Sequence, residues 1–185
     1  MSLEQLPQLA AEDHTCYVCE IVYQRISVDD AVNAIAELPA AVREAVLAIP
    51  PDARRRRPSP QVWSVAEYVC HLRDVYMSFT IRLHRARNED RPAVDPMFNE
   101  LRARRFRYNE CDLAPTLDEL TAAATGFCEE VARTEDREWD RVITRLPGEQ
   151  RTALWLVRQA MHEGIHHLGD IRRIGRVCGQ AQIWR

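Results

Sequence analysis

The chain has 185 residues, 46% hydrophobic and 29% charged, which is the composition of a folded domain long enough to bury a core without disulfides. All 25 residues of the Lys+Arg count are arginine, which excludes lysine Schiff bases, pyridoxal-phosphate anchoring, Ser-Lys dyads and Walker A loops. No glycine precedes Gly126, so the first two thirds hold no G-x-G-x-x-G cradle, and the net charge of −3 carries no nucleic-acid footprint.

Residues 1–26 read as an N-terminal extension carrying Cys16-Tyr-Val-Cys19, and residues 27–185 as a helical domain. The opening Met1-Ser-Leu-Glu-Gln lacks the basic start of a secretion signal, and no apolar run approaches the roughly 20 residues of a membrane span. A cytoplasmic protein with reduced thiols and neither membrane nor nucleic acid as partner is expected. Ser27 caps a first helix over residues 28–49, with Val32, Ile35, Val42, Val46 and Ile49 on one face and Pro39 kinking or dividing it. The arginine run at 54–57, followed by Pro58 and Pro60, reads as a solvated loop.

Ser64-Val-Ala-Glu67 is a capping box, with Trp63 and Tyr68 as its hydrophobic staple. The second helix runs on to about residue 87, burying Val65, Val69, Leu72, Tyr76, Phe79 and Leu83. A short helix over 97–106 starts behind Pro96, and a third long helix opens at a second capping box, Thr116-Leu-Asp-Glu119. The fourth runs from near Thr152 to Val177, with Gly179 as its stop, and residues 141–146 form the one extended stretch. The pattern predicts an all-α four-helix bundle with a long crossover between the second and third helices.

Three of six histidines fall in His162-Glu-Gly-Ile-His166-His167. His162 and His166 are i and i+4, so both imidazoles project from one helix face and reach a common metal ion. His71, at the edge of the second helix's apolar stripe, is the candidate third ligand. His162-Glu163-Gly-Ile-His166 also matches the H-E-x-x-H of zinc proteases with Glu163 as base, but Arg172 stands where the longer pattern needs a histidine. Arg158 and Arg173 lie near the same face and are candidates for pairing a cofactor's or substrate's carboxylates. Cys16 and Cys19, with His14 beside them, supply three of the four ligands of a closed zinc site, and no second C-x-x-C completes it. A redox pair or a structural use is the other reading. Cys70, Cys111, Cys128 and Cys178 read as small core residues.

Trp63-Ser-Val-Ala-Glu-Tyr-Val-Cys-His71-Leu-Arg-Asp74 and His162-Glu-Gly-Ile-His166-His167-Leu-Gly-Asp-Ile171 together resemble the DinB/YfiT superfamily of metalloenzymes. The resemblance implies a four-helix bundle and a divalent metal, zinc or nickel, on His71, His162 and His166, with His167 a non-ligand. It also implies a thiol-dependent chemistry. With an arginine-only composition that fits an actinobacterial owner, the expectation is an S-transferase using mycothiol or a similar small thiol on an electrophilic substrate. The related maleylpyruvate isomerases carry a further C-terminal domain, which makes isomerase activity the lesser expectation for a chain ending at Arg185. The alternatives are a metal-dependent hydrolase and a non-enzymatic metal-binding or redox-sensing stress protein. A homodimer is expected, and Gly164 and Gly169 are expected to leave a ligand room beside the metal.

Overall fold

The computed structural model describes residues 6–182; the first five residues, weighed as the start of a secretion signal, lie outside them. Five helices dominate: α1 (Val28–Leu47), α2 (Val65–Asn88), α3 (Asn99–Arg105), α4 (Leu113–Ala132) and α5 (Ala153–Gln182). The four long ones form the bundle. Both α1 and α2 pack against α4 and α5, so α1 and α2 face each other across the bundle's diagonal. The long α2–α4 connection contains α3 and a 3-10 turn, Tyr108–Glu110.

Local chemistry sets most boundaries. Ser27 and Asp30 form a reciprocal capping box on α1, and Ser64 and Glu67 form another on α2, each tying up orphan amides of the first turn. The staple forms as well, with the Trp63 and Tyr68 rings 5.6 Å apart. Pro39 sits buried inside an unbroken α1.

Three boundaries differ from expectation. α4 starts at Leu113, capped by the Asp112 carboxylate on the Ala114 amide at 3.1 Å. Pro115 then falls in the first turn, where its missing N–H costs nothing, and the Thr116 hydroxyl donates to the Asp112 carbonyl instead of opening a second box. The short helix begins at Asn99, not behind Pro96, because Phe98 takes a left-handed conformation (φ 48°) that no α-helix contains. α5 runs through Gly179 to Gln182: one glycine costs a helix about 1 kcal/mol and does not end it.

Two hairpins flank the bundle. β1 (Thr15–Cys16) pairs antiparallel with β2 (Ile21–Val22), and β3 (Val142–Leu146) with β4 (Glu149–Thr152). β3 also receives the chain beyond α2, where the Val94 amide donates to the Thr144 carbonyl at 2.8 Å. The N-terminal segment packs on the bundle: Tyr23 is fully buried, and Ile21 joins the same core. Arg151 holds the Leu9 carbonyl at 2.8 Å, and the Thr152 amide donates to Glu12 at 2.7 Å. Arg57, expected in solvent, instead pairs with Glu67 at 2.6 Å and Glu100 at 3.1 Å. Cys70 is fully buried beside Ala103 and Tyr108, while Cys111, Cys128 and Cys178 are half-buried. No described helix is long and apolar enough to cross a membrane.

Candidate metal centre

His71 lies on the second turn of α2, on the side turned toward α5, and is almost fully buried. Its Nε2 sits 3.2 Å from Oε2 of Glu163. Four residues further along α5, on the same face, His167 brings its own Nε2 to 3.3 Å from that oxygen. One donor atom from each of the three residues lies within 4.8 Å of the other two.

Each donor is held from behind. The Asp170 carboxylate stands 2.8 Å from His167 Nδ1, so that nitrogen carries the proton and donates. The Gln159 amide donates to Glu163 Oε1 at 2.7 Å, leaving Oε2 to the histidines. Trp63 packs edge-on to His71 and Tyr68 against His167, with centroids 5.0 and 5.1 Å away. The residues that staple the start of α2 are thus also the walls of the site.

The electrostatics reflect this clustering. Burial opposes charge on both Glu163 and His167, but their mutual hydrogen bonds outweigh it. Glu163 is held well below the usual carboxylate range by His167 and His71, and His167 is pushed up to about 9 by Asp170 and Glu163. Burial pulls His71 below its ordinary value, which keeps its imidazole neutral and free to ligate.

Two cavities meet at His71. One, of about 180 Å³, is lined by His71, Glu163, Gln159, Arg82, Asn99 and Trp155. The other, of about 270 Å³, reaches the His167 side past Trp63 and Tyr68. Asn99 lines both, at the start of α3 where Phe98 holds its strained conformation. In the first cavity Asn99 Oδ1 and Trp155 Nε1 are buried with no hydrogen-bond partner among the described residues. Arg82 is buried there with the Asp95 carbonyl as its hydrogen-bond partner, and burial, with Arg145 nearby, pushes it down to about 10.

The family model of the DinB superfamily matches residues 34–171, a span that contains His71 and the whole histidine cluster of α5. The chain belongs to the DinB superfamily. It is 25% identical over 153 residues, 82% of its length and 86% of the relative's, to a Geobacillus thermodenitrificans (strain NG80-2) protein named "Putative metal-dependent hydrolase". Among solved structures it is similar to YfiT from Bacillus subtilis, described as a probable metal-dependent hydrolase with an unusual four-helix bundle topology. That similarity has a TM-score of 0.78 and 21% identity, covering 84% of this chain and 91% of that one.

Within this DinB bundle the three histidines expected to share an ion are not brought together. His71 groups with Glu163 and His167, whereas His162 and His166 group with Cys16 and Cys19. The reason is helical rotation: Glu163 and His167 repeat the i, i+4 spacing one residue on, about 100° around α5, and theirs is the pair that meets α2. The doublet's second histidine and the glutamate between the paired histidines are the residues that sequence reasoning set aside, although the same spacing identifies them. Arg158 donates to the Ile26 carbonyl at 3.0 Å, and Arg173 is taken by Asp170. Gly164 leaves no room for a ligand, since a Cβ there would come within 2.5 Å of both Leu38 and Tyr76. At Gly169 a Cβ would meet only the Arg173 guanidinium, at 3.6 Å, so that position does leave space.

Proposed function

We propose that the chain is a metal-dependent hydrolase whose divalent cation, zinc or nickel, is held by His71, Glu163 and His167. The observation that carries this reading is the meeting of two imidazole Nε2 atoms on one oxygen of Glu163. Two histidines and a carboxylate are the donor set of known catalytic zinc sites, and three protein ligands leave a coordination position open. A cation bound there supplies Lewis acidity to a substrate oxygen and makes water an effective nucleophile at neutral pH.

The chain's own residues supply orientation and recognition. Gln159 fixes the Glu163 carboxylate, and Asp170 accepts the Nδ1 proton of His167, which leaves Nε2, whose proton a bound cation would displace, facing Glu163. In the adjoining cavity Arg82 pairs an anionic group of the substrate, while Asn99 and Trp155 offer it an acceptor and a donor. The names of the relatives point to the same reaction class. Thiol transfer has no comparable support, since neither relative's name points to it.

Metal-loaded protein is to be assayed against chromogenic carboxylic esters, amides and phosphoesters, with and without an added small thiol. Turnover with water alone, stopped by chelation and lowered by more than about 100-fold in His71→Ala and Glu163→Gln, is expected. Turnover only when the thiol is present would replace hydrolysis by transfer.

A further inference from the structure

A second convergence of metal-ligating atoms reaches beyond the DinB-matched span, and it uses the two histidines that the first site leaves aside. Cys16 ends β1, Cys19 lies in the four-residue loop, and Cys16 pairs across the hairpin with Ile21. Glu20, directly after Cys19, adopts φ 58°, the left-handed turn that brings the chain back into β2. The hairpin sits over α5 with the Cys16 and Cys19 sulfurs 3.6 and 4.0 Å from His166 Nδ1. One donor atom each from Cys16, Cys19, His162 and His166 lies within 4.8 Å of the other three. Zinc bonds of about 2.3 Å to sulfur and 2.0–2.1 Å to nitrogen, at tetrahedral angles, place neighbouring ligand atoms about 3.3–3.8 Å apart, a small contraction from this arrangement.

A second observation points to the missing partner. His162 Nε2 is buried and has no hydrogen-bond partner among the described residues. Its protonation is fixed by a chain of bonds that allows one assignment. Glu163 only accepts, so Gln159 turns its NH2 toward it and its oxygen toward Tyr23. The Tyr23 hydroxyl spends its single proton on that oxygen and accepts from His162 Nδ1 at 2.9 Å. His162 therefore carries its proton on Nδ1 and keeps a bare lone pair on Nε2. An unpaired buried acceptor costs free energy unless something fills it. A histidine whose one nitrogen donates to a fixed oxygen while the other is free is arranged as a metal ligand.

We propose that Cys16, Cys19, His162 and His166 bind a zinc(II) ion in a closed, structural Cys2His2 site that fastens the N-terminal hairpin to α5. Four protein ligands fill the coordination sphere, so this ion stabilises and does no chemistry. Binding converts both thiols to thiolates and releases two protons to solvent. The two missing ligands that no second C-x-x-C supplies come from a helix about 145 residues away, on a face one residue round from the first site. The inference stands whether or not the first site is hydrolytic.

Cobalt(II) serves as the probe, titrated into full-length, reduced, metal-stripped protein and followed by absorption spectroscopy. A thiolate-to-cobalt charge-transfer band with strong tetrahedral d–d absorption, saturating at one thiolate-bound ion per chain, is expected. The band persists in His71→Ala and vanishes in the Cys16→Ser/Cys19→Ser double variant, which by elemental mass spectrometry carries one ion fewer than the parent. Wild-type protein that binds cobalt without thiolate bands overturns the proposal, as does a double variant with the parent's spectrum. Because the wild-type spectrum decides the question alone, a double variant that fails to fold leaves it testable. Failure of the hydrolytic reading instead shows as loss of turnover with this band intact.

Discussion

Asp170 stands behind His167, and its carboxylate decides which ring nitrogen faces Glu163. Replacing it with asparagine keeps the shape but removes the charge that holds the proton on Nδ1. Asp170→Asn is expected to weaken divalent-metal affinity by about 10–100-fold with little change in fold, measured by competition against a chromophoric chelator. Affinity equal to the parent's would remove Asp170 from the site. Gly164 makes a different demand. With Tyr76 fully buried and Leu38 in the core, a Cβ at 2.5 Å from both forces each of them to move. Gly164→Ala is expected to destabilise the protein by about 1–3 kcal/mol from overpacking, less about 1 kcal/mol of helix propensity gained. A raised denaturation midpoint would show that the pocket yields more easily than its packing implies.

Among the elements, α3 is bound to α2 by charge as well as by the buried contact of Ala103 with Cys70. Asp74 of α2 is buried and receives Arg102 of α3 and the hydroxyl of Tyr108, with Arg73 beside it. Burial pushes its pKa up, but the bonds from Tyr108, Arg102 and Arg73 prevail and hold it below the usual aspartate range. A carboxylate whose folded value is depressed contributes stability that is complete above its unfolded value of about 3.9 and lost as pH falls through the folded one. Asp74→Asn, which leaves Arg102 and Arg73 against a neutral partner, is expected to cost about 3 kcal/mol at neutral pH. The difference from the parent should shrink as pH falls below about 4, which denaturant titrations across pH would detect. A pH-independent difference would count against the charge argument. Because Phe98 and Asn99 open α3, loosening this element also loosens the wall of both cavities.

For the molecule as a whole, the described residues before α1 take part in the packing. Tyr23 is fully buried and bridges Gln159 to His162, and Leu9 and Ala10 pack against the core. Deleting residues 1–26 is expected to expose that face of α5 and lower the thermal midpoint by many degrees, as scanning calorimetry would show. An unchanged midpoint would mean the bundle is complete without them. The helices and their capping signals are legible in the sequence because they are local. Ser27 and Ser64 cap the helices that start directly after them, and the periodicity of Val65 to Leu83 names its own buried face. The β1–β2 hairpin is not legible, since two-residue strands carry no alternation to read.

The amino-acid sequence by itself determined the four-helix bundle, the family and the stock of ligating side chains, because short-range hydrogen bonds and side-chain period decide helices one turn at a time. It left undecided how that stock is divided. Residues 162 and 166, and 163 and 167, satisfy the same spacing rule, and a rotation of about 100° separates them. Only the tertiary structure decided that Glu163 and His167 meet His71 while His162 and His166 meet the cysteines. That outcome depends on how α5 is turned against α2 and on where the N-terminal hairpin comes to rest, and both are set by packing between residues distant along the chain.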